Sequence, residues 1–311
     1  MRLSTKIPAL YLMAAAAMTS CSDLIYDGEC PPQQLDVNFL WSEEQRPEGM
    51  TVWFFSTDAN GSDYRFDIAS PAGGKVSLPV GNYKMLTVNN DAKNVAFTHE
   101  DSFDDYTASV AKKEDHTWKT ADGEEALVTP PGMLWATTIG SVNISVEGAT
   151  YGYITDSRRI WCHPEEICAR YHVEVRSVEN LKSAKAVQSA LSGLSATVNV
   201  GEHTLSDTDI TESLTLKADS DNSLTGDLLT FGKKHDDPTH NFLVIRFRMS
   251  DGSIHEVTTD VTEQIVNAPD PMNVNIIIDD ITLPDTGEEP PIPGEGLDVT
   301  VGDWIDIEIY V

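Results

Sequence analysis

Positive charge is what this sequence has least of. Over 311 residues, 21 lysines and arginines face 50 aspartates and glutamates, and the formal charge of −29 is not interrupted by any basic block. A phosphate backbone would repel such a chain, which argues against nucleic acid as a partner. Long apolar runs are also missing: beyond the first twenty residues no stretch approaches the roughly 20 needed to cross a bilayer as a helix. Local catalytic signatures are absent as well. There is no G-x-S-x-G, no phosphate-cradling glycine loop, no H-E-x-x-H and no G-x-G-x-x-G. With 40% apolar and 23% charged residues the chain can still build cores, and its length suits about two domains.

Residues 1–20 read as a secretory signal peptide. Arg2 and Lys6 precede the apolar run Ala9 to Met18, and small residues Thr19 and Ser20 stand directly before Cys21. Met18-Thr19-Ser20-Cys21 resembles a loose bacterial lipobox, in which the cysteine is acylated and becomes the first residue of the mature chain. The alternative is an ordinary signal with a cysteine nearby. Lipidation at Cys21 is preferred because the apolar run stops there and polar residues come next. Removing the signal takes away two bases and no acids, so the mature charge becomes −31. A body this acidic gains nothing from an anionic surface, so the attachment would be lipid, at about 0.8 kcal/mol per buried CH₂. Ser22-Asp23 with Asp27 and Glu29 also resembles the acidic tether that routes some lipoproteins to the cell exterior. The expected location is the outer membrane, facing outward.

Cys30, Cys162 and Cys168 remain. Thiols of exported proteins tend to pair, and Cys162 and Cys168 could close a small loop as a disulfide, or Cys30 could take either of them. A metal site from Cys162, His163 and Cys168 would lack a fourth ligand and the usual cysteine spacing, so no metal and no cofactor are expected. The acidic run Glu100, Asp101, Asp104, Asp105 lacks an ordered calcium-loop spacing. His235 to His240 reads as a solvated loop.

Alternation with period two dominates the rest. Residues 21–34 form a tether, and Leu35 to Trp41 is the first half-buried strand. Met50 to Phe55 is apolar on both faces, and the Asn60-Gly61 step favours a hairpin to Tyr64, Phe66 and Ile68. Strands continue through Val76–Leu78 and Lys84–Val88. Residues 91–125 read as a long polar loop. Strands resume at 134–138, 141–147 and 167–176. One helix is expected over Glu179–Leu191, where Leu181, Ala184, Val187 and Leu191 share a face and Ser192-Gly193 would end it. Further strands lie at 194–200, 213–216, 224–231, 241–249, 253–258 and 272–281, with Asp251-Gly252 as a hairpin turn. The class is therefore all-β, with one short helix.

A Pro/Gly/Glu linker, 284–296, precedes a last alternating segment, 297–311. Leu297, Val299, Val301, Ile305, Ile307, Ile309 and Val311 are its strand-donor candidates, with Asp306 and Glu308 between the isoleucines. A lone strand cannot bury its apolar face by itself, so it must add to a sheet of its own body or of a neighbour.

Several of these features together resemble the fimbrillin-like lipoproteins, the anchor and accessory subunits of type V pili. They are the lipobox at Cys21, the block from Met50-Thr51-Val52-Trp53-Phe54-Phe55 through Leu78-Pro79-Val80-Gly81-Asn82-Tyr83 to Val88-Asn89-Asn90, and Ala190-Leu191-Ser192-Gly193-Leu194. The resemblance implies two tandem transthyretin-like β-sandwich domains, here 35–165 and 166–283. It also implies a structural role with other pilus subunits as partners, joined by strand addition, and attachment to the outer membrane through lipid. Stalk subunits of that family are primed by proteolysis after the first strand. Here Arg46 is followed by Pro47, a poor site for such a cut, which favours an anchor or accessory role. The alternative is a surface glycan-binding lipoprotein of a nutrient-uptake system. That reading needs an exposed row of aromatics drawn from Trp53, Trp118, Trp135, Trp161 and Trp304. A third reading is an enzyme whose carboxylates no motif reveals.

Overall fold

The computed structural model describes residues 32–287, apart from 43, 111, 121–122, 207–208 and 220–221. Cys21, Cys30, Trp304 and the segment Leu297–Val311 lie outside the described residues.

The first half runs β1 (Gln33–Phe39), β2 (Met50–Ser56), β3 (Tyr64–Ile68), β4 (Gly73–Leu78), β5 (Gly81–Asn89), β6 (Val95–Thr98), β7 (Thr107–Val110), β8 (Lys112–Thr120) and β9 (Gly123–Val128). It continues with β10 (Trp135–Ser145), β11 (Gly148–Tyr151), β12 (Ile154–Asp156), β13 (Arg159–Cys162) and β14 (Glu165–Glu166). The second half comprises β15 (Ala169–Arg176), β16 (Ala184–Ser195), β17 (Thr197–Asn199), β18 (Thr204–Leu205), β19 (Asp209–Leu214), β20 (Lys217–Ala218), β21 (Leu224–Thr230), β22 (Phe242–Met249) and β23 (Ile254–Asp260). The helix α1 (Thr262–Val266) and β24 (Asn273–Asp279) complete it.

In the first half a three-stranded sheet, β13-β1-β4, faces a larger sheet, β12-β11-β10-β5-β2-β3. The predicted alternation of β1 is present: Leu35, Val37 and Phe39 point inward. They meet Val52, Phe54, Met85, Val142, Ile144 and Ile160 in one hydrophobic core. The outer face of the larger sheet is also covered, because Phe55, Leu86, Val88 and Trp135 enter a second core. This explains why β2 reads as apolar on both faces.

The second core lies between the sheet β23-β22-β16-β19-β9-β8 and the sheet β20-β21-β15-β24. Tyr171, Val173 and Val175 of β15 face Leu191, Ile210, Leu243, Ile245 and Phe247 across it. Strands from the first half enter this architecture. β9 pairs in parallel with β19, and β7 pairs with β17 in a small sheet, β18-β17-β7-β6. The expected polar loop at 91–125 is therefore overturned, since it holds β6, β7, β8 and the start of β9. Its strands are short or mostly polar, so neither length nor alternation reveals them.

The helix expected over Glu179–Leu191 is also overturned. A single 3₁₀ turn, Leu181–Ser183, precedes β16, which pairs with β22 on one side and β19 on the other. Ala184, Val187 and Leu191 do share a helical face in the sequence. Helix propensities, however, differ by at most about 0.7 kcal/mol per ordinary residue. Burying a Val or Leu side chain contributes roughly 1.5–3 kcal/mol, and the central strand buries Val187, Leu191 and Leu194 almost completely. A strand covered on both faces loses its period-two signal. The short helix is instead α1, whose start is held by Asp260, which accepts bonds from the Thr262 backbone N–H at 2.9 Å and hydroxyl at 2.6 Å.

Ser192-Gly193 forms a bulge in β16, where the register with β19 shifts between Leu191 and Leu194. Gly193 has φ +72°, and an added Cβ would lie 2.5 Å from the His240 carbonyl oxygen. Strain and collision act together there. Gly193→Ala should destabilise the protein by about 1–3 kcal/mol, read as a lower urea midpoint. An unchanged midpoint would show that the bulge relaxes freely.

Candidate assembly site

A β-protein offers partners its sheet edges, so the edges are the candidate site. Among the described residues several edge strands are very short. β18 and β20 have two residues each and β12 has three, which leaves little backbone to pair. β24 is longer, with seven residues, but α1 covers its outer side. The Gln264 side chain donates to the Ile277 carbonyl at 3.0 Å and accepts from the Ile277 N–H at 2.8 Å, taking the place of a neighbouring strand at that residue. β23, also seven residues, borders β22 and has no strand on its other side among the described residues.

β1 is not an edge. It lies between β13, in parallel, and β4, antiparallel. Its inward side chains are almost completely buried. The loop after it exposes Arg46 and buries Pro47. Trp41, just past β1, packs against both cores and donates its indole N–H to the Pro71 carbonyl. Losing β1 would therefore open the first core and loosen the contact between the two.

The candidate residues are brought together less than the sequence suggests. Cys162 and Cys168 are free thiols, so the disulfide expected between them is not formed. Between them β14 pairs with β10 in an extended path rather than looping back. Cys162 ends in the first core and Cys168 in the second. Burial pushes each thiol up to about 12.

Three of the four acids at 100–105 are engaged individually. Glu100 meets Arg65 at 3.4 Å, Asp104 meets Lys84 at 2.6 Å, and Asp105 accepts from Ser102 Oγ at 2.8 Å. In the 235–240 loop, His240 Nδ1 lies 2.7 Å from Asp260 Oδ2 and its ring stacks on Phe242. Asp260 is held at about 2, first by the Thr262 hydroxyl and also by His240. The Trp118 side chain lies outside the described ones, and the other described tryptophans have ring partners. Trp135 is buried against Trp41, Trp53 stacks on Phe55 with Arg65 over its ring, and Arg159 lies over Trp161.

One chemically charged feature was not anticipated. Glu212, on β19, is completely buried between β16 and β9, in register with Leu191 and Val128. Neither carboxylate oxygen has a well-formed hydrogen bond. Burial raises its pKa well above the ordinary carboxylate range, opposed by the Thr230 hydroxyl. The signal was present in the sequence, because Ile210, Glu212 and Leu214 alternate onto one face.

Residues 20–216 match the family model described as a domain of unknown function, DUF5119. The chain belongs to that family. A relative from Bacteroides ovatus, described as a candidate fimbrium anchoring subunit, Fim4B, is 23% identical across 97% of this chain and 96% of its own. Among solved structures, a candidate adhesin from Bacteroides ovatus superposes with TM-score 0.61 at 21% identity, covering 85% of this chain and 95% of that one. The fimbrial anchor protein Mfa2 from Porphyromonas gingivalis gives TM-score 0.50 at 14% identity, covering 80% of this chain and 90% of that one. The fimbrillin-like resemblance read from the sequence holds, and so does the all-β sandwich class.

Glu212 yields a test of the interior. A carboxyl whose folded pKa lies above its unfolded value of about 4.3 favours folding fully below that value. The advantage is lost as pH rises toward the folded pKa. Glu212→Gln should therefore match the parent protein's melting temperature near pH 4 and exceed it increasingly toward pH 8. An equal difference at all pH values would show that the carboxyl does not titrate in the fold.

Proposed function

We propose that this protein is an anchor or accessory subunit of a fimbrillin-like pilus, acylated at Cys21, held by lipid at the outer membrane and exposed to the exterior. Its role is structural, without cofactor or catalysis, and it joins neighbouring subunits by β-strand addition. The observation that carries this reading is the match, over 97% of this chain and 96% of the relative, to a protein described as a candidate fimbrium anchoring subunit. The placement of β1 supports it. A first strand built into the middle of a sheet, with Arg46-Pro47 after it, suits a subunit that keeps that strand. The division into units 35–165 and 166–283 belongs to the same proposal, with β6–β9 as an arm of the first unit reaching into the sheets of the second.

Two experiments test it. Cys21→Ala should move the protein from the membrane fraction to the soluble fraction and abolish incorporation of labelled palmitate; retention of both would remove the anchor assignment. Deleting Leu297–Val311 should abolish association with pilus subunits in co-purification from the native envelope while leaving the first core folded. Undiminished association would remove that segment from the assembly mechanism.

A further inference from the structure

On one flank of the second-half sandwich the two sheets end in β24 and β23, and of these two edges only β24 has backbone groups taken up by a neighbour. On β22 the inward row Leu243, Ile245 and Phe247 is completely buried. The residues in register with them on β23 are Thr259, Val257 and His255, and all three are only half-buried. Val257 packs on the second core yet keeps solvent contact, because no described strand lies beyond it. Ile254, at the start of the same strand, is 41% exposed. At β24 the Gln264 amide supplies the missing backbone partners. No described backbone or side-chain group does so for β23.

The chain leaves the described body at this flank. Ser250 lies in the turn joining β22 to β23, and its hydroxyl is 2.7 Å from Thr286 Oγ1 and 2.9 Å from the Gly287 carbonyl oxygen. Residue 287 is thus fixed beside the beginning of β23. The nine residues 288–296 reach at most about 30 Å when extended, and a seven-residue strand such as β23 spans about 24 Å. Residue 297 can therefore be delivered to either end of β23. Beyond it the chain carries the alternating row Ile305, Ile307, Ile309 and Val311, with Asp306 and Glu308 between the isoleucines. A tether this short holds that row near the edge at an effective concentration on the order of millimolar.

We propose that, before a partner is met, Leu297–Val311 adds as a strand to the open edge of β23 in its own chain. Its isoleucines cover the flank left by His255, Val257 and Thr259, and its acids face solvent. This rests on the reading of Leu297–Val311 as the assembly strand, and names its acceptor. A second copy is a weaker occupant at ordinary protein concentrations, since it lacks the tether.

Hydrogen–deuterium exchange on the purified mature chain, compared with a chain ending at Gly296, tests the placement. In the full chain the amides of 254–260 should exchange at least tenfold more slowly, at a rate independent of concentration in a monomer, while those of β24 stay unchanged. A chain carrying Ile307→Lys and Ile309→Lys together should lose that protection at full length. Equal exchange in all three chains would overturn the proposal. So would protection that appears only with dimers, which would make a second copy the occupant. If truncation abolishes pilus association but leaves 254–260 unaltered, this placement falls and the pilus reading stands. If truncation removes protection without affecting association, the placement stands and the donor role falls.

Discussion

Backbone hydrogen bonding sets the limits within which the rest of this molecule is built. Every strand carries a row of N–H and C=O groups that must be paired or solvated. The chain meets that requirement by interleaving its halves. β9 continues the sheet that begins with β23, and β7 continues the sheet that begins with β18. Neither half can be removed without leaving strands of the other unpaired. The helix α1 is also placed by this constraint, since it lies where a side-chain amide can replace a missing strand beside Ile277.

The two cores arise from the same arrangement. Sheet β12-β11-β10-β5-β2-β3 presents one face to each, so β5 sends Met85 into the first and Leu86 and Val88 into the second. Trp41 touches both cores. Relative motion of the halves would disturb a continuous series of apolar contacts.

Much of this was legible in the sequence where one face of a strand is wet. β1, β3 and β24 alternate cleanly and were placed within a few residues. Legibility fails where both faces are covered or both are polar. β16 lost its alternation to burial on both sides and its Ala and Lys content pointed to a helix. β8, with Lys112, Lys113, Glu114 and Asp115 in succession, gave no strand pattern at all. Pairing between distant segments, such as β9 with β19, leaves no local trace. Of the candidate site, the spacing of Cys162 and Cys168 suggested a bond because six residues look short. Nothing local says that an extended bridge pairing with β10 would send the two thiols to opposite cores. Glu212 could have been found from its neighbours Ile210 and Leu214, and Gln264 could not, since its role depends on where α1 docks.

The fate of the two buried cysteines bears on how the protein must mature. Once folded, thiols with pKa values near 12 present almost no thiolate, the form that attacks disulfides. An unfolded chain has no such protection, and in an oxidising compartment its cysteines can be captured into wrong pairs. Under oxidising conditions, slower collapse would lengthen the interval in which both thiols stay open to capture.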